Sequence, residues 1–171
     1  MPTHNNRHLR GATNEIMLRV NGGTVVNVGD LMFIDATAGA RHSATITYAG
    51  FPANMCASNT HYYFESNFAG VAMSSSISGV TEDIPVATSG VFRFPVTAAA
   101  GQTVSPSFFV SGASFGANGT SIFAQKVVCG PVLNEGRIGY CVRAQTATST
   151  VDFIILTRFS GVSPDVSYAA A

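Results

Sequence analysis

The chain has 171 residues, of which 46% are hydrophobic and 11% charged, and its nine basic and nine acidic side chains cancel to a formal net charge of zero. Proteins that bind nucleic acids or anionic membranes carry a basic face, so neither partner is expected here. A free monomer normally has a more charged surface. The composition therefore predicts that copies of the chain or a larger partner cover much of its surface.

The cysteines and the first residues bear on the compartment. Cys56, Cys129 and Cys141 are odd in number and widely spaced, which argues against a disulfide framework and favours a reducing compartment. Residues 1–15 are polar and contain no signal-peptide core, and no apolar run is long enough for a transmembrane helix. A flexible N-terminal arm is predicted over residues 1–15.

The first predicted strands follow the arm. Residues 16–20 and 24–28 flank Asn21-Gly22-Gly23, and this pattern is typical of a β-hairpin because its tight turn needs positive φ angles. A turn at Gly29-Asp30 then leads into residues 31–34. Their continuous apolar run indicates a strand that is buried on both faces.

The next stretch is less regular. Residues 36–60 contain a candidate strand at 44–48 and room for one short helix. The aromatic residues 61–64 favour a strand because aromatic side chains are common in sheets. Residues 67–73 are typical of a turn that enters another strand.

The middle of the chain has a clearer alternation. Residues 85–88 and 90–96 are predicted strands on either side of a turn at Ser89-Gly90. Alternate residues of a strand share one face. The apolar face of the second strand consists of Phe92, Phe94 and Val96. Pro95 cannot donate a ladder hydrogen bond, so this strand is expected to end there or to lie at an edge.

The last third contains further predicted strands. A turn at Gly101-Gln102 leads into residues 104–110, and 138–143 forms another strand. Residues 111–136, rich in Gly, Ser, Asn and Ala, are predicted to be an inserted loop or hairpin. Residues 151–159 form the longest predicted strand, and apolar residues on both of its faces place it centrally.

Short strands separated by turns predict an all-β fold, because no window shows convincing helical periodicity. The expected architecture is a compact β-barrel or sandwich of short antiparallel strands with an extended N-terminal arm and a loop insertion. One domain is predicted over residues 16–160, followed by a C-terminal tail over 161–171.

One segment matches a catalytic pattern. Residues 112–116, Gly-Ala-Ser-Phe-Gly, fit the nucleophile elbow, with Ser114 as the nucleophile of a hypothetical small hydrolase. A turn sequence follows where the elbow requires a helix. The hydrolase order also needs a histidine after the serine. All four histidines precede it, namely His4, His8, His42 and His61.

Metal and cofactor chemistry has little support in the sequence. Cys56 and His61 are five residues apart, but the paired short spacings of structural zinc sites are missing. Cys129 and Cys141 are interpreted as buried thiols, and a disulfide between them stays open. Glu82 and Asp83 are adjacent carboxylates, and in a strand their side chains would face opposite sides. No cofactor is predicted, and the chain is not expected to be an enzyme.

The order of several segments resembles a known family. Glycine turns, short apolar strands and an alternating closing strand follow one another at residues 29–33, 68–72, 86–95, 101–104, 138–142 and 151–156. This order is similar to that of bacteriophage capsid decoration (cement) proteins. The resemblance implies a small barrel or tulip-like β-domain that binds the major capsid protein on the outer surface of the virion, often as a homotrimer.

The chain departs from that family in its arm, in residues 36–60 and in the insertion 111–136. The expected function is structural, and Arg7 and Arg10 are candidate anchors on an acidic capsid surface. An idle N-terminal tail is the alternative for the arm. For the whole chain, the alternative is a tail-fibre or receptor-recognition module that binds a cell-surface ligand.

Overall fold

The computed structural model describes residues 7–10, 13–46, 57–97, 103–115, 121–131, 137–146, 149–157 and 159. Within these ranges strands dominate, which confirms the predicted all-β class. In chain order, the elements are β1 (Arg7–Arg10), β2 (Glu15–Val20), β3 (Leu31–Asp35), β4 (Gly39–His42), a 3-10 helix (Ser43–Thr45), α1 (Ala57–Asn67), β5 (Phe68–Ala72), β6 (Glu82–Ala87), β7 (Val91–Pro95), β8 (Thr103–Val104), β9 (Phe109–Phe115), β10 (Ser121–Gly130), β11 (Arg137–Cys141), β12 (Gln145–Thr146) and β13 (Thr150–Ile155).

Five strands close into a barrel in the order β2-β4-β3-β5-β6, with β6 returning to pair with β2. Neighbouring strands are antiparallel except β2 and β4, which meet in a parallel pair at Val20 and Ala40. Closure leaves this sheet without free edges, so its backbone groups pair within the barrel. The predicted barrel is therefore confirmed.

Six further strands form an open antiparallel sheet in the order β1-β7-β13-β11-β9-β10. The central position predicted for residues 151–159 is confirmed, because β13 lies between β7 and β11. Its predicted length is wrong: β13 ends at Ile155, and β10, with ten residues, is the longest described strand. A separate two-stranded sheet joins β8 to β12.

Two clusters of buried side chains hold these sheets together. The first, which we call the barrel core, consists of Val20, Val26, Met32, Ala40, Ala69, Ala72, Ile84 and Val86. The second, the aromatic core, lies between the barrel and the open sheet. Its phenylalanines are Phe33, Phe64, Phe68, Phe92, Phe94 and Phe153. Strand β3 serves both cores because successive side chains point to opposite faces, and its burial on both faces is confirmed.

The predicted hairpin over residues 16–28 is wrong in its second strand. Strand β2 forms and the chain turns at Asn21, whose carbonyl accepts from the Thr24 amide over 2.8 Å. Residues 24–28 do not pair with β2, whose neighbours are β4 and β6. The reason is barrel closure: both sides of β2 are occupied, and Val26 is drawn into the barrel core.

Residues 61–64, predicted as a strand, lie in α1. Phe64 is fully buried, and its ring packs edge-on against Phe33 and Phe68 at centroid distances of 6.4 and 5.4 Å. Burial of this ring outweighs the weak preference of aromatic residues for strands. The short helix expected within residues 36–60 begins at Ala57. Of the candidate strand at 44–48, the first residues are in the 3-10 helix, and 47–48 lie outside the described residues.

The predictions for β6 and β7 are confirmed. Phe92 and Phe94 are buried in the aromatic core, Val96 packs against it, and the strand ends at Pro95. The turn before β7 has Gly90 at φ 124°. This turn carries the chain from the barrel into the open sheet, so β6 and β7 are not paired with each other.

The predicted insertion, residues 111–136, is part of the main sheet. It contains most of the antiparallel pair formed by β9 and β10. Ile122, Val127 and Cys129 of β10 are buried in the aromatic core. The hairpin alternative therefore describes this segment, although its glycine-rich composition concealed the strands. The turn at Gly101-Gln102 and the tail at 161–171 lie outside the described residues.

The predicted flexible arm contains a strand. Residues 7–10 form β1, which pairs antiparallel with β7 at the edge of the open sheet, and Glu15 already belongs to β2. An added edge strand is held by backbone hydrogen bonds, which require no alternating side-chain pattern. The absence of periodicity in this segment is thus compatible with a strand.

Candidate functional site

Two loops meet at one end of the barrel. Residues 21–30 connect β2 to β3, and residues 73–81 connect β5 to β6. We call this surface the double-loop end. Among its nineteen residues the only Asp, Glu, Lys, Arg or His is Asp30, and this side chain is buried. The exposed part of the two loops therefore carries no charged side chain of its own.

Hydrogen bonds tie the two loops into one unit. The Val26 amide donates to Ser76 Oγ over 2.8 Å, and the Ser76 amide donates to the Val26 carbonyl over 2.9 Å. Ser76 Oγ in turn donates to the Thr24 carbonyl over 3.2 Å. Thr24, Val26 and Ser76 are all buried. The buried serine therefore replaces the strand pairing that residues 24–28 lack.

A close backbone contact brings the loop tips together. The Gly79 amide donates to the Gly22 carbonyl over 3.0 Å. A Cβ atom on Gly22 would lie 2.7 Å from the carbonyl carbon of Gly79, which leaves no room for a side chain. Gly79 itself has φ 81°, a conformation that favours glycine. The two glycines are thus required by the contact between the loops.

Four aliphatic side chains project from this rigid end. The exposed fractions are 47% for Val25, 51% for Val28, 61% for Ile77 and 45% for Val80. They make up half of the large hydrophobic residues that are exposed in the described part of the chain. Exposed apolar groups concentrated on one surface indicate a site that another macromolecule covers.

The chemistry available at the double-loop end is that of docking. Apolar contacts and backbone polar groups can supply area there, while its sequence contains no His, Lys or Cys and its one carboxylate, Asp30, is buried. The loops are already held by internal hydrogen bonds, so binding orders few new groups and loses little conformational entropy. A surface whose backbone is fixed and whose aliphatic side chains project outward suits tight protein–protein contact.

The sequence analysis missed this surface. It predicted residues 24–28 as a strand and gave the segment after β5 no role. The available signal was the pairing of two charge-free stretches, 21–29 and 73–81, each with isolated aliphatic residues among Gly, Ser and Asn. Recognising the pair requires knowledge that β3 and β5 are neighbours, which only the barrel topology provides.

The predicted capsid-contact residues Arg7 and Arg10 are in β1. Their backbones lie opposite Arg93 and Val91 of β7, at an edge of the open sheet. They do not belong to either loop of the double-loop end. The structure therefore separates the predicted basic anchors from the apolar surface, and their role as contacts stays a prediction.

Ser114 does not occupy a nucleophile elbow. Residues 112–115 continue strand β9, whereas an elbow is a sharp turn from a strand into a helix. A different serine, Ser111, lies 3.1 Å from Nδ1 of His61 on α1. Ser111 is only 1% exposed and His61 is half-buried, so this hydrogen bond joins α1 to β9 at the border of the packed interior.

Cys129 and Cys141, on β10 and β11, are thiols that form no disulfide with each other, and both are buried in the aromatic core, as predicted. A hydrogen bond between the two side chains lowers the pKa of Cys129 and raises that of Cys141. Among the described residues, no group of three His, Cys, Asp or Glu side chains could hold a metal ion. Cys56 lies outside these residues.

Adjacent carboxylates of β6 have structural contacts. Glu82 accepts a hydrogen bond from the Ile77 amide and so supports the double-loop end, while Asp83 pairs loosely with Arg19 at 3.9 Å.

None of the described helices is long and apolar enough to cross a membrane. Comparison with known proteins adds no relative to these observations: no family model matches the chain, and no curated protein matches it.

Proposed function

We propose that this chain is a cement protein, which binds the outer surface of a bacteriophage capsid and stabilises it through protein–protein contacts. The major capsid protein is its partner, and copies of the chain associate with one another, as a homotrimer in the expected arrangement. The observation that carries the proposal is the double-loop end, a rigid, uncharged surface from which Val25, Val28, Ile77 and Val80 project.

The fold supports this proposal because it holds the two loops of the double-loop end in a fixed position. A closed barrel backed by an aromatic core holds the two loops in place without needing a partner to order them. A shell-binding protein needs such preformed area, because affinity depends on well-packed apolar contacts more than on total area. The low charge of the whole chain agrees with surfaces that are covered in the assembled particle.

Co-sedimentation tests the proposal. Capsids of the phage that encodes the chain are prepared without it and mixed with the purified full-length protein. The wild-type chain is expected to pellet with the capsids in saturable fashion. A double variant, Val25→Ser with Ile77→Ser, is expected to bind at least about tenfold more weakly, because it places hydroxyl groups in the apolar contact.

A matched control uses an equally exposed residue elsewhere. Tyr62 on α1 is 51% exposed, and Tyr62→Ser is expected to leave capsid binding unchanged. Capsids that carry the wild-type chain are also expected to resist heat and chelators better than capsids without it. Failure of the wild-type chain to bind contradicts the function, while equal binding by the double variant contradicts only the assigned surface.

Copy number separates the proposal from the receptor-recognition alternative. A cement protein covers the shell and is expected in numbers comparable to those of the major capsid protein. A tail-fibre module would be present in a few copies per particle. Quantitative gel analysis of purified virions distinguishes the two, and a low copy number would contradict the cement role.

A further inference from the structure

The turn after β2 contains a chemically reactive pair of residues. Asn21 is followed by Gly22, at the point where the two loops of the double-loop end touch. The Asn21 side chain is exposed, so no packing shields its amide carbon. The backbone nitrogen of the following residue can attack this carbon, and glycine obstructs the attack least because it has no side chain. The pair is therefore a candidate for a reaction of the chain with itself.

The fold requires glycine at the second position of this pair. A Cβ atom on Gly22 would lie 2.7 Å from the carbonyl carbon of Gly79, so no larger residue fits the contact between the loops. The same contact is closed by the hydrogen bond from the Gly79 amide to the Gly22 carbonyl. The interaction that fixes the double-loop end thus also keeps the attacking nitrogen unhindered.

The Asn21 side chain is already turned toward the backbone that follows it. Its Oδ1 accepts a hydrogen bond from the Gly23 amide over 3.2 Å, as in the turns that asparagine side chains form with their own backbone. When a nitrogen attacks the side-chain carbon, negative charge develops on Oδ1. The Gly23 N–H already points at that oxygen, so it stabilises the charge as an oxyanion-hole donor does.

The nitrogen of Gly22 has a partner that can assist the loss of its proton. Its N–H donates to Thr81 Oγ1 over 3.2 Å. A hydroxyl group both accepts and donates, so Thr81 can turn and donate to this nitrogen once the proton has left. The Asn21 carbonyl accepts from the Thr24 amide over 2.8 Å, which keeps the turn closed around the reacting atoms.

We propose that the chain deamidates itself at Asn21 and that the products disable the double-loop end. The Gly22 nitrogen forms a bond to Cγ of Asn21, and the side-chain amide leaves as ammonia with the proton that Gly22 loses. A succinimide ring results. Water then opens the ring at either of its carbonyl carbons and yields aspartate or isoaspartate, so that water is the only co-reactant.

Both products alter the double-loop end. Aspartate places a negative charge on a surface whose exposed side chains are uncharged, and an unpaired charge is costly to cover with a partner. Isoaspartate in addition inserts a carbon atom into the main chain directly before Gly22, where the contact with Gly79 leaves no spare room. The loss of docking rests on the proposed function, whereas the reaction and its effect on stability do not.

Peptide mapping by mass spectrometry tests the reaction on the full-length chain without capsids. The folded chain and a synthetic peptide of residues 17–26 are aged in parallel at mildly alkaline pH. Asn21 is expected to convert in the folded chain at least as fast as in the peptide, because the fold holds the Gly23 N–H on Oδ1. Slower conversion in the folded chain overturns the inference. Mapping separates this site from the second Asn-Gly pair of the sequence, at residues 118–119.

Asn27 is an internal control in the same loop. It is exposed like Asn21, but Val28 follows it, and the branched side chain of valine crowds the nitrogen that would attack. Asn27 is expected to stay intact while Asn21 converts. Equal conversion of the two asparagines overturns the role assigned to Gly22.

Two variants separate the added charge from the longer main chain. Asn21→Gln keeps an amide on a longer side chain that closes the ring poorly, and aged samples are expected to melt like fresh ones. Aged wild-type chain is expected to melt at a lower temperature as isoaspartate accumulates, whereas fresh Asn21→Asp, which adds only the charge, melts close to fresh wild type. Isoaspartate that leaves the melting temperature unchanged overturns its predicted effect on the loop contact.

Co-sedimentation with capsids tests the consequence for docking. Aged wild-type chain and fresh Asn21→Asp are each expected to bind at least about tenfold more weakly than fresh wild type, and aged Asn21→Gln is expected to bind as it does when fresh. Undiminished binding by the converted chain overturns the effect on docking alone. If fresh wild-type chain does not bind capsids, the proposed function fails, while the mapping and melting results still decide the reaction at Asn21.

Discussion

The two cores of this protein are filled by side chains of different size. The barrel core consists of valine, alanine, isoleucine and methionine, and none of its buried members is aromatic. The aromatic core contains six phenylalanines. A barrel of five strands encloses a narrow interior, whereas two facing sheets leave a wider space that large rings can fill. The strand number therefore dictates which residue sizes each core accepts.

Removal of a ring from the aromatic core is expected to have the largest effect. Phe94 is fully buried, and its ring packs 5.4 Å from that of Phe153. Phe94→Ala leaves a cavity that the surrounding sheets cannot close, and it is expected to lower the free energy of unfolding by about 3–5 kcal/mol. Urea denaturation measures the change. Phe94→Leu is the control with a smaller loss, and equal stability of the two variants would contradict the packing described.

Enlargement of a residue in the barrel core is expected to cost less but still to destabilise. Ala69 is fully buried inside the barrel, and Ala69→Leu adds atoms where no space exists. The expected loss of unfolding free energy is about 1–3 kcal/mol. Ala36, in an exposed turn, is the control position, and Ala36→Leu is expected to change stability by no more than about 0.5 kcal/mol. A barrel that accepts the larger residue without loss would contradict the narrow interior.

Substitutions at two neighbouring residues of the double-loop end should differ sharply in their effect on the stability of the protein. Val25 is 47% exposed, so Val25→Ser is expected to change the free energy of unfolding by no more than about 0.5 kcal/mol. Val26 is fully buried in the barrel core, and Val26→Ser loses apolar burial and introduces a hydroxyl group. Thermal melts of the two variants check the contrast. Equal melting temperatures would show that Val26 does not close the barrel end.

The smallest effect concerns pH. Burial lowers the pKa of His42 in the barrel wall below its ordinary value of 6.5, with Asp30 opposing and Arg41 reinforcing the shift. Well above the ordinary pKa of 6.5, the residue is neutral in both the folded and the unfolded state. As pH falls below that value the unfolded chain binds the proton first, so stability declines until the folded-state pKa is reached.

Urea midpoints between about pH 7.5 and 5.5 measure this effect, since carboxylates titrate below that window. The wild-type midpoint is expected to fall on acidification. His42→Gln removes the titrating group and is expected to flatten the profile. An unchanged slope in the variant would assign the pH dependence to another histidine.

The fold class could be predicted from the sequence because it follows from local patterns. The turn at Gly29-Asp30, the run that became β3 and the alternation of Phe92 and Phe94 each depend on near neighbours. The failures occur where distant contacts decide. Phe64 became helical because its ring meets Phe33 and Phe68, and residues 24–28 left the predicted hairpin because β6 and β4 occupy β2.

The candidate site was even less accessible to sequence analysis. Val25 and Ile77 are more than fifty residues apart, and their proximity depends on bonds between Val26 and Ser76. The row of Phe109, Tyr140 and Ile154 on the open sheet is also a product of strand order, since the three residues come from three separate strands. Composition predicts that surfaces are covered, and only the topology indicates which surfaces are candidates.

The attachment of the double-loop end has a mechanical consequence. Its loops continue directly into β3 and β5, where the Gly29 amide donates to the Ala72 carbonyl over 2.8 Å and the Ala72 amide donates to the Asp30 carbonyl over 2.9 Å. These two strands are also the wall between both cores. A pull on the tip therefore shears paired strands lengthwise against packed phenylalanines. We therefore expect the double-loop end to unfold under force only together with the whole domain, so that the strength of an attachment at this end would depend on the stability of the fold.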